Sequence, residues 1–145
     1  MKYLEKEHNW DIHVKHYYGN DAYLYAYVNG CLEIMKYLEK EHNWSPRVRN
    51  MCGDDAYLLA AYYNQFEIMK YLEKEHNWYI HVQNKYGEDA YFHAKLYNHH
   101  EIIKHLENKM FYEKLSKLVN AFLETKDKQI NRLTEKINSV KTFVS

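Results

Sequence analysis

Leu32, Ile34, Met35, Tyr37 and Leu38 fall at helical spacing, which predicts a helix from 32 to about 41. The stretch 53–68, GDDAYLLAAYYNQFEI, predicts another element. Gly53 suits the positive φ of a tight turn, and Asp55 is a good N-cap. Residues 56 to about 63 then form a helix of roughly two turns. Asn64 marks a turn, and Asn29-Gly30 stands at the same place one copy earlier. About ten non-helical residues separate each second helix from the next first helix. The pattern is a short helix, a turn, a longer helix and an extended finger.

These elements recur. MKYLEKEHNW occurs at 1–10, 35–44 and 69–78, and a decayed copy, IKHLENKMFY, starts at Ile103. Val14, Val48 and Val82 keep the same step, as do Gly19, Gly53 and Gly87. Asp-Ala-Tyr recurs at 21–23, 55–57 and 89–91, followed by Ala26, Ala60 and Ala94. Glu-Ile returns at 33–34, 67–68 and 101–102. A regular period of this size implies a solenoid, in which each unit buries its apolar face against its neighbours.

The period of 34 residues is nominally that of tetratricopeptide repeats, but the internal order decides otherwise. Tetratricopeptide helices are longer and tightly joined, with no extended finger. The runs Asp21-Ala22-Tyr23-Leu24-Tyr25-Ala26, Asp55-Ala56-Tyr57-Leu58-Leu59-Ala60 and Asp89-Ala90-Tyr91-Phe92-His93-Ala94 resemble the T-P-L-H-x-A signature of ankyrin repeats. Asp replaces Thr as cap, and Ala replaces Pro at the first helical position. Asn29-Gly30-Cys31-Leu32-Glu33-Ile34-Met35-Lys36-Tyr37-Leu38 is similar to the N-G-H-L-E-I-V-K-x-L run of that family. The extra residue of each unit is placed in the finger around His42-Asn43-Trp44.

The resemblance covers roughly residues 1–110 and implies an all-α ankyrin-repeat solenoid followed by a C-terminal helical tail. Its expected divisions are an incomplete leading repeat at 1–18, repeats at 19–52 and 53–86, a repeat with a degenerate finger at 87–110, and the tail at 111–145. The dialect, E-H-N-W, D-A-Y-L and N-G-x-L-E-I-M-K-Y-L, resembles ankyrin proteins of mimivirus-type giant viruses. Met1 corresponds to Met35 and Met69 inside a second helix, so the array is expected to start mid-repeat. Residues 1–10 are then expected to be locally weak.

Past Met110 the repeat dissolves. Leu115, Leu118, Val119, Phe122 and Leu123 form an apolar stripe, and Ile130, Leu133, Ile137, Val140 and Val144 follow a heptad seam. The tail is read as one or two helices that fold back to cap the array, or as a short coiled coil that oligomerises through that seam. Its seven Lys+Arg against four Asp+Glu read as a solvated face.

Charge and chemistry narrow the function. Lys+Arg and Asp+Glu stand at 20 each, without the basic surplus of a dedicated nucleic-acid binder. No apolar run approaches the roughly 18 residues of a membrane span, and the N-terminus lacks the apolar region of a signal peptide. Cys31 and Cys52 do not make a disulfide framework. An intracellular, cytoplasmic protein is expected, in host cytoplasm if viral. His13 and His16, and the adjacent His99 and His100, lack supporting metal-ligand spacing. His8, His42 and His76 recur with the repeat and are read as scaffold residues bonded to turn backbone. No P-loop, G-x-G-x-x-G or G-x-S-x-G occurs, so neither cofactor nor catalysis is expected.

Positions that stay the same, such as Leu4, Trp10, Val14, Gly19, Tyr23 and Ala26 with their copies, read as stacking residues. Function is expected where units differ. In the ankyrin family the finger tips and the exposed side and end of the first helix line the concave binding surface. Carried over by position, these are Tyr17, Tyr18, Asn20, Val28 and Asn29; then Met51, Cys52, Asp54, Tyr62 and Tyr63; then Lys85, Tyr86, Glu88, Leu96 and Tyr97. Six of these fifteen are tyrosines, which give broad contact area at low entropy cost. The expected function is binding of a protein partner, a host protein if the chain is viral. The alternatives are an assembly protein that oligomerises through its tail, and a truncated repeat fragment without selected function.

Overall fold

The computed structural model describes the backbone of residues 22–144 and the side chains of 24–143. The incomplete leading repeat, the expected weakness of 1–10, and Tyr17, Tyr18 and Asn20 lie outside the described residues, as does the side chain of Val144. The described chain is all-helical. Its elements are α1 (Ala22–Val28), α2 (Leu32–His42), α3 (Ala56–Tyr62), α4 (Phe66–His76), α5 (Ala90–Leu96) and α6 (His100–Val144). The two intervening segments, 43–55 and 77–89, are non-helical and carry turns, and the described backbone forms no strand beyond an isolated bridge between Gln83 and Asp89.

The short helices start where a side chain can cap them. Asp55 accepts hydrogen bonds from the Tyr57 and Leu58 amides, and Asp89 accepts one from Phe92. Both caps have extended backbone, the geometry in which a carboxylate reaches the orphan amides of the first turn. The turns after α1, α3 and α5 pass through the left-handed region at Gly30, Asn64 and Asn98. Gly and Asn enter that region at least cost. The second helices α2 and α4 end on left-handed Asn43 and Asn77.

That terminator explains where α6 departs from α2 and α4. The residue in step with Asn43 and Asn77 is Phe111, which tolerates a left-handed conformation poorly. The helix therefore runs on to Val144 as one element, instead of yielding to a finger.

The chain divides after Leu106 into two compact units, each with its own contacts. In the first, α1 packs on α2 and α3 on α4, while the first helices stack in the order α1, α3, α5. The core includes Leu24, Ala26 and Tyr27; Met35 and Leu38; Ala56 through Ala61; Ile68, Met69 and Leu72; Ala90 and Ala94; Ile102 and Leu106, whereas Ile34 and Gly87 are exposed and Trp44, Val48, Val82 and Tyr91 are only partly buried. Small residues at 56, 60, 61, 90 and 94 let the first helices approach closely, and burial of the larger neighbours stabilises each unit only in the presence of the next.

Polar stitches join successive units. Glu39 accepts from the Tyr71 hydroxyl at 2.6 Å and faces His76 Nε2 at 3.2 Å. One period later Glu73 faces His105 Nε2, in step with Tyr71, at 2.9 Å, and also accepts from the Tyr57 hydroxyl of its own unit at 2.7 Å. His76 is thus held by a carboxylate of the preceding unit, not by turn backbone, because stacking brings the two helices side by side. Burial, then the bond to Glu73, pushes the Tyr57 hydroxyl well above the ordinary tyrosine range; burial and Glu39 do the same to Tyr71.

The second unit is the helical stretch from Glu107 onward. Leu115, Leu118, Val119, Phe122 and Leu123 are exposed, as are Ile130, Leu133, Ile137 and Val140. The tail is one helix, so an apolar stripe and a heptad seam lie on a single rod.

Candidate partner-binding face

The finger tips are built around Asn50 and Asn84, one period apart. Asn50 Oδ1 accepts from the amides of Cys52 and Asp54, both at 2.9 Å. Asn84 Oδ1 accepts from Tyr86 and Glu88 in the same way, at 2.9 and 3.0 Å. Each tip closes with a backbone bond, from Asn50 N to Asp54 O and from Asn84 N to Glu88 O. The side chains at 51, 52, 54, 85, 86 and 88 are therefore presented by turns closed through asparagine, and Asn50 Nδ2 also donates to Asp54 Oδ2 at 3.3 Å. Gly53 and Gly87 hold positive φ in these tips, where a Cβ would be strained.

Adjacent fingers are tied to one another. The Lys85 amide donates to Cys52 O at 3.1 Å, and Lys85 Nζ donates to Met51 O at 2.8 Å. Arg49 Nη1 donates to Gly53 O at 2.7 Å and to Gln83 O at 2.8 Å, while its Nη2 lies 3.4 Å from Asp55 Oδ2. Asn84 Nδ2 donates to both Asp54 Oδ1 and Glu88 Oε2, each at 2.9 Å. One asparagine thus gathers the varied carboxylates of two units.

Behind the fingers, the ends of α3 and α5 form an aromatic row. The Tyr97 and Tyr62 hydroxyls share a hydrogen bond at 2.7 Å, and their rings lie 4.7 Å apart. Tyr63 lies 4.7 Å from Tyr62 on its other side. His99 stacks on Tyr97 and directs Nδ1 to Ala61 O at 2.9 Å. The bond to Tyr97, ahead of partial burial, pushes the Tyr62 hydroxyl up to about 12.

Of the fifteen residues expected on this face, twelve are described. Contacts link eight of them across two units: Met51, Cys52, Asp54, Lys85 and Glu88 at the tips, and Tyr62, Tyr63 and Tyr97 at the helix ends. Met51, Tyr63, Tyr86, Leu96 and Tyr97 are exposed. Such a run of exposed apolar and aromatic side chains on well-tied backbone is what a binding surface requires. Val28 and Asn29 serve the turn: Val28 O accepts from Gln65 Nε2 at 3.0 Å, and Asn29 Nδ2 donates to Tyr25 O at 2.8 Å.

Two residues of the face were not singled out from sequence. Asn84 was readable from its recurrence with Asn50. His93 was not, because its counterparts Tyr25 and Leu59 suggest only packing. Among the described residues no group of three or more His, Cys, Asp or Glu is placed to hold a metal ion. No helix there is long and apolar enough to cross a membrane.

No protein-family model matches the chain, and no curated protein matches it by sequence. The fold is similar to that of a chain in the crystal structure of the yeast ribosomal protein Rps3 in complex with its chaperone Yar1. The TM-score is 0.61 at 20% identity, over 74% of this chain and 81% of that one. At that identity the likeness concerns the fold.

Proposed function

We propose that this chain is an ankyrin-type protein-interaction module, without catalytic activity or cofactor, that binds a protein partner through its finger tips and first-helix face. The observation that carries the reading is the sorting of positions. Many side chains that repeat with the period, such as Met35 and Met69, Leu38 and Leu72, Ala56 and Ala90, and Asp55 and Asp89, are in the core or in caps. Several of the positions that vary, at the finger tips and the ends of the first helices, are tied together across two units. The similar solved chain belongs to a complex of two proteins, which agrees with the reading without naming a partner. The repeat dialect suggests a giant-virus protein, and a host protein is then the natural target.

Affinity capture from the native cell, comparing the wild type with Tyr62→Ala/Tyr63→Ala, tests this. The expected result is a protein retained by the wild type and lost from the double variant. Equal retention would move the binding site elsewhere.

A second reading rests on α6. Ile130, Leu133, Ile137 and Val140 are each more than half exposed and keep the 3,4 spacing of a coiled-coil seam. In that reading the tail joins copies of the chain, and the repeats decorate the assembly.

A further inference from the structure

Under the finger tips lies a buried imidazole that no bond in the structure satisfies. His93 on α5 is 5% exposed, and neither ring nitrogen has a hydrogen-bond partner. Its Nε2 faces Asp54 Oδ1 at 3.9 Å and Glu88 Oε2 at 4.0 Å, just beyond bonding range. The Tyr62 ring packs edge-on against it at 5.5 Å between centroids. An unbonded buried polar group costs about 1–3 kcal/mol and is uncommon in native structures.

The surroundings are acidic and organised. Asp54 and Glu88 are held by the two N–H groups of Asn84, yet each carboxylate retains unused lone pairs. The nearest finger cations are committed elsewhere, Lys85 to Met51 O and Arg49 to Asp55, Gly53 and Gln83. Two carboxylate oxygens, Asp54 Oδ1 and Glu88 Oε2, therefore converge on His93 Nε2. Two negative charges beside one buried imidazole call for a cation with several donors. An ammonium offers three N–H donors and a guanidinium offers five in a planar fork.

We infer that Asp54, Glu88 and His93 form a seat for one lysine or arginine side chain of the partner, so that the face recognises a basic protein segment. The inference rests on the proposed function and specifies its chemistry. Asp54 and Glu88 supply charge, and Asn84 fixes their spacing. Tyr62 flanks the seat, and His93 gives it a polar floor. The counterpart of Asp54 and Glu88 in the preceding unit is Asn20, so the carboxylates belong to the second and third units alone.

The test is an NMR titration of the full chain with acetyl-Ala-Lys-Ala-amide and acetyl-Ala-Arg-Ala-amide, with acetyl-Ala-Glu-Ala-amide as control. The expected result is saturable shifts at the Asn84 side-chain amide, the His93 ring and Tyr62 with a basic peptide and none with the acidic one. Glu88→Gln, which keeps an acceptor for Asn84, should weaken that binding by about tenfold or more. Shifts that never saturate, that spread evenly over surface carboxylates, or that survive Glu88→Gln unchanged would overturn the seat. So would a His93 ring already doubly protonated in the free protein, because it would satisfy both carboxylates itself. Partner capture separates this from the broader reading. A partner lost from Tyr62→Ala/Tyr63→Ala but retained by Asp54→Asn/Glu88→Gln leaves the face intact and removes the seat.

Discussion

Replacing Asp55 isolates what the repeat's cap contributes. Its Oδ1 accepts from the Tyr57 amide at 3.0 Å and the Leu58 amide at 3.1 Å. Its Oδ2 lies 3.4 Å from Arg49 Nη2. Asp55 is 2% exposed, and Tyr57 and Leu58 are fully buried. In Asp55→Ala no water easily reaches the orphaned amides. Loss of a cap costs about 1 kcal/mol in ordinary settings and up to about 2. Leaving a buried donor unpaired raises the figure, so about 2–4 kcal/mol is expected. Asp55→Asn keeps an oxygen at the cap and removes only the charge. Burial, the largest influence, raises the Asp55 pKa above 3.8 despite the opposing amides and Arg49. Ionisation therefore costs the fold, and Asp55→Asn should stay within about 1 kcal/mol of the wild type at neutral pH. Urea denaturation followed by circular dichroism measures both variants. If Asp55→Asn were as damaging as Asp55→Ala, the ion pair with Arg49 would be the stabilising element and the cap argument would be wrong.

The pH dependence carries the same logic with a definite sign. An acid whose pKa is higher folded than unfolded binds more protons in the native state. Its contribution is fully present below the unfolded value and is lost as pH rises through the folded value. The wild type should therefore gain stability relative to Asp55→Asn as pH falls from neutral toward 3.8. A difference that is flat with pH would show that Asp55 titrates alike in both states.

Other expectations follow from the fingers, the tyrosine row and the tail. Gly53→Ala should destabilise more than Gly87→Ala in thermal melts. Both place a side chain at positive φ, at a cost of about 1 kcal/mol, but a Cβ at 53 would meet Lys85 Cγ at 2.8 Å and its amide nitrogen at 3.0 Å, while none of the protein lies within 4 Å at 87. Equal losses would mean that the finger-to-finger contact contributes nothing. Tyr97→Phe should bring the Tyr62 hydroxyl down from about 12 toward the ordinary tyrosine value, as followed by carbon NMR of the tyrosine rings; an unmoved titration would assign the shift to burial instead. If the tail assembles copies, sedimentation of the full chain should show mass rising with concentration, and Ile137→Asp should abolish the rise. A monomer at every concentration removes the assembly reading.

The elements were legible where one residue type has one physical use. Asp55 and Asp89 read as caps and serve as caps. Asn64 read as a turn, and it takes the left-handed conformation. The helix expected from 56 to about 63 spans Ala56–Tyr62, and the one expected from 32 to about 41 spans Leu32–His42. The long α6 was less legible. An apolar stripe announces a helix, but only the loss of the Asn terminator at 111 tells that the helix continues through the expected boundary near 110. The stitches were illegible for another reason. Glu39 meets Tyr71 and His76 over 32 and 37 residues of sequence, and such pairings depend on the register of stacking. His93 shares that difficulty, because nothing local marks a histidine between Phe92 and Ala94 as the floor of an acidic cluster.

The division of labour between Asn84 and its neighbours explains how such a face can be retuned. The turn is closed by Asn84 Oδ1 accepting backbone amides, which is indifferent to the side chains at 85, 86 and 88. The same residue's Nδ2 sorts those side chains by attracting acceptors from two units. Position 54 can therefore be Asp and position 88 Glu without altering the finger, while an amide or hydroxyl there would keep the geometry and discard the charge. Scaffold and specificity are thus separated within a single residue. On the proposed function, substitutions at 54, 88, 62 and 97 would change affinity for a partner while the stacking of α1, α3 and α5 is preserved.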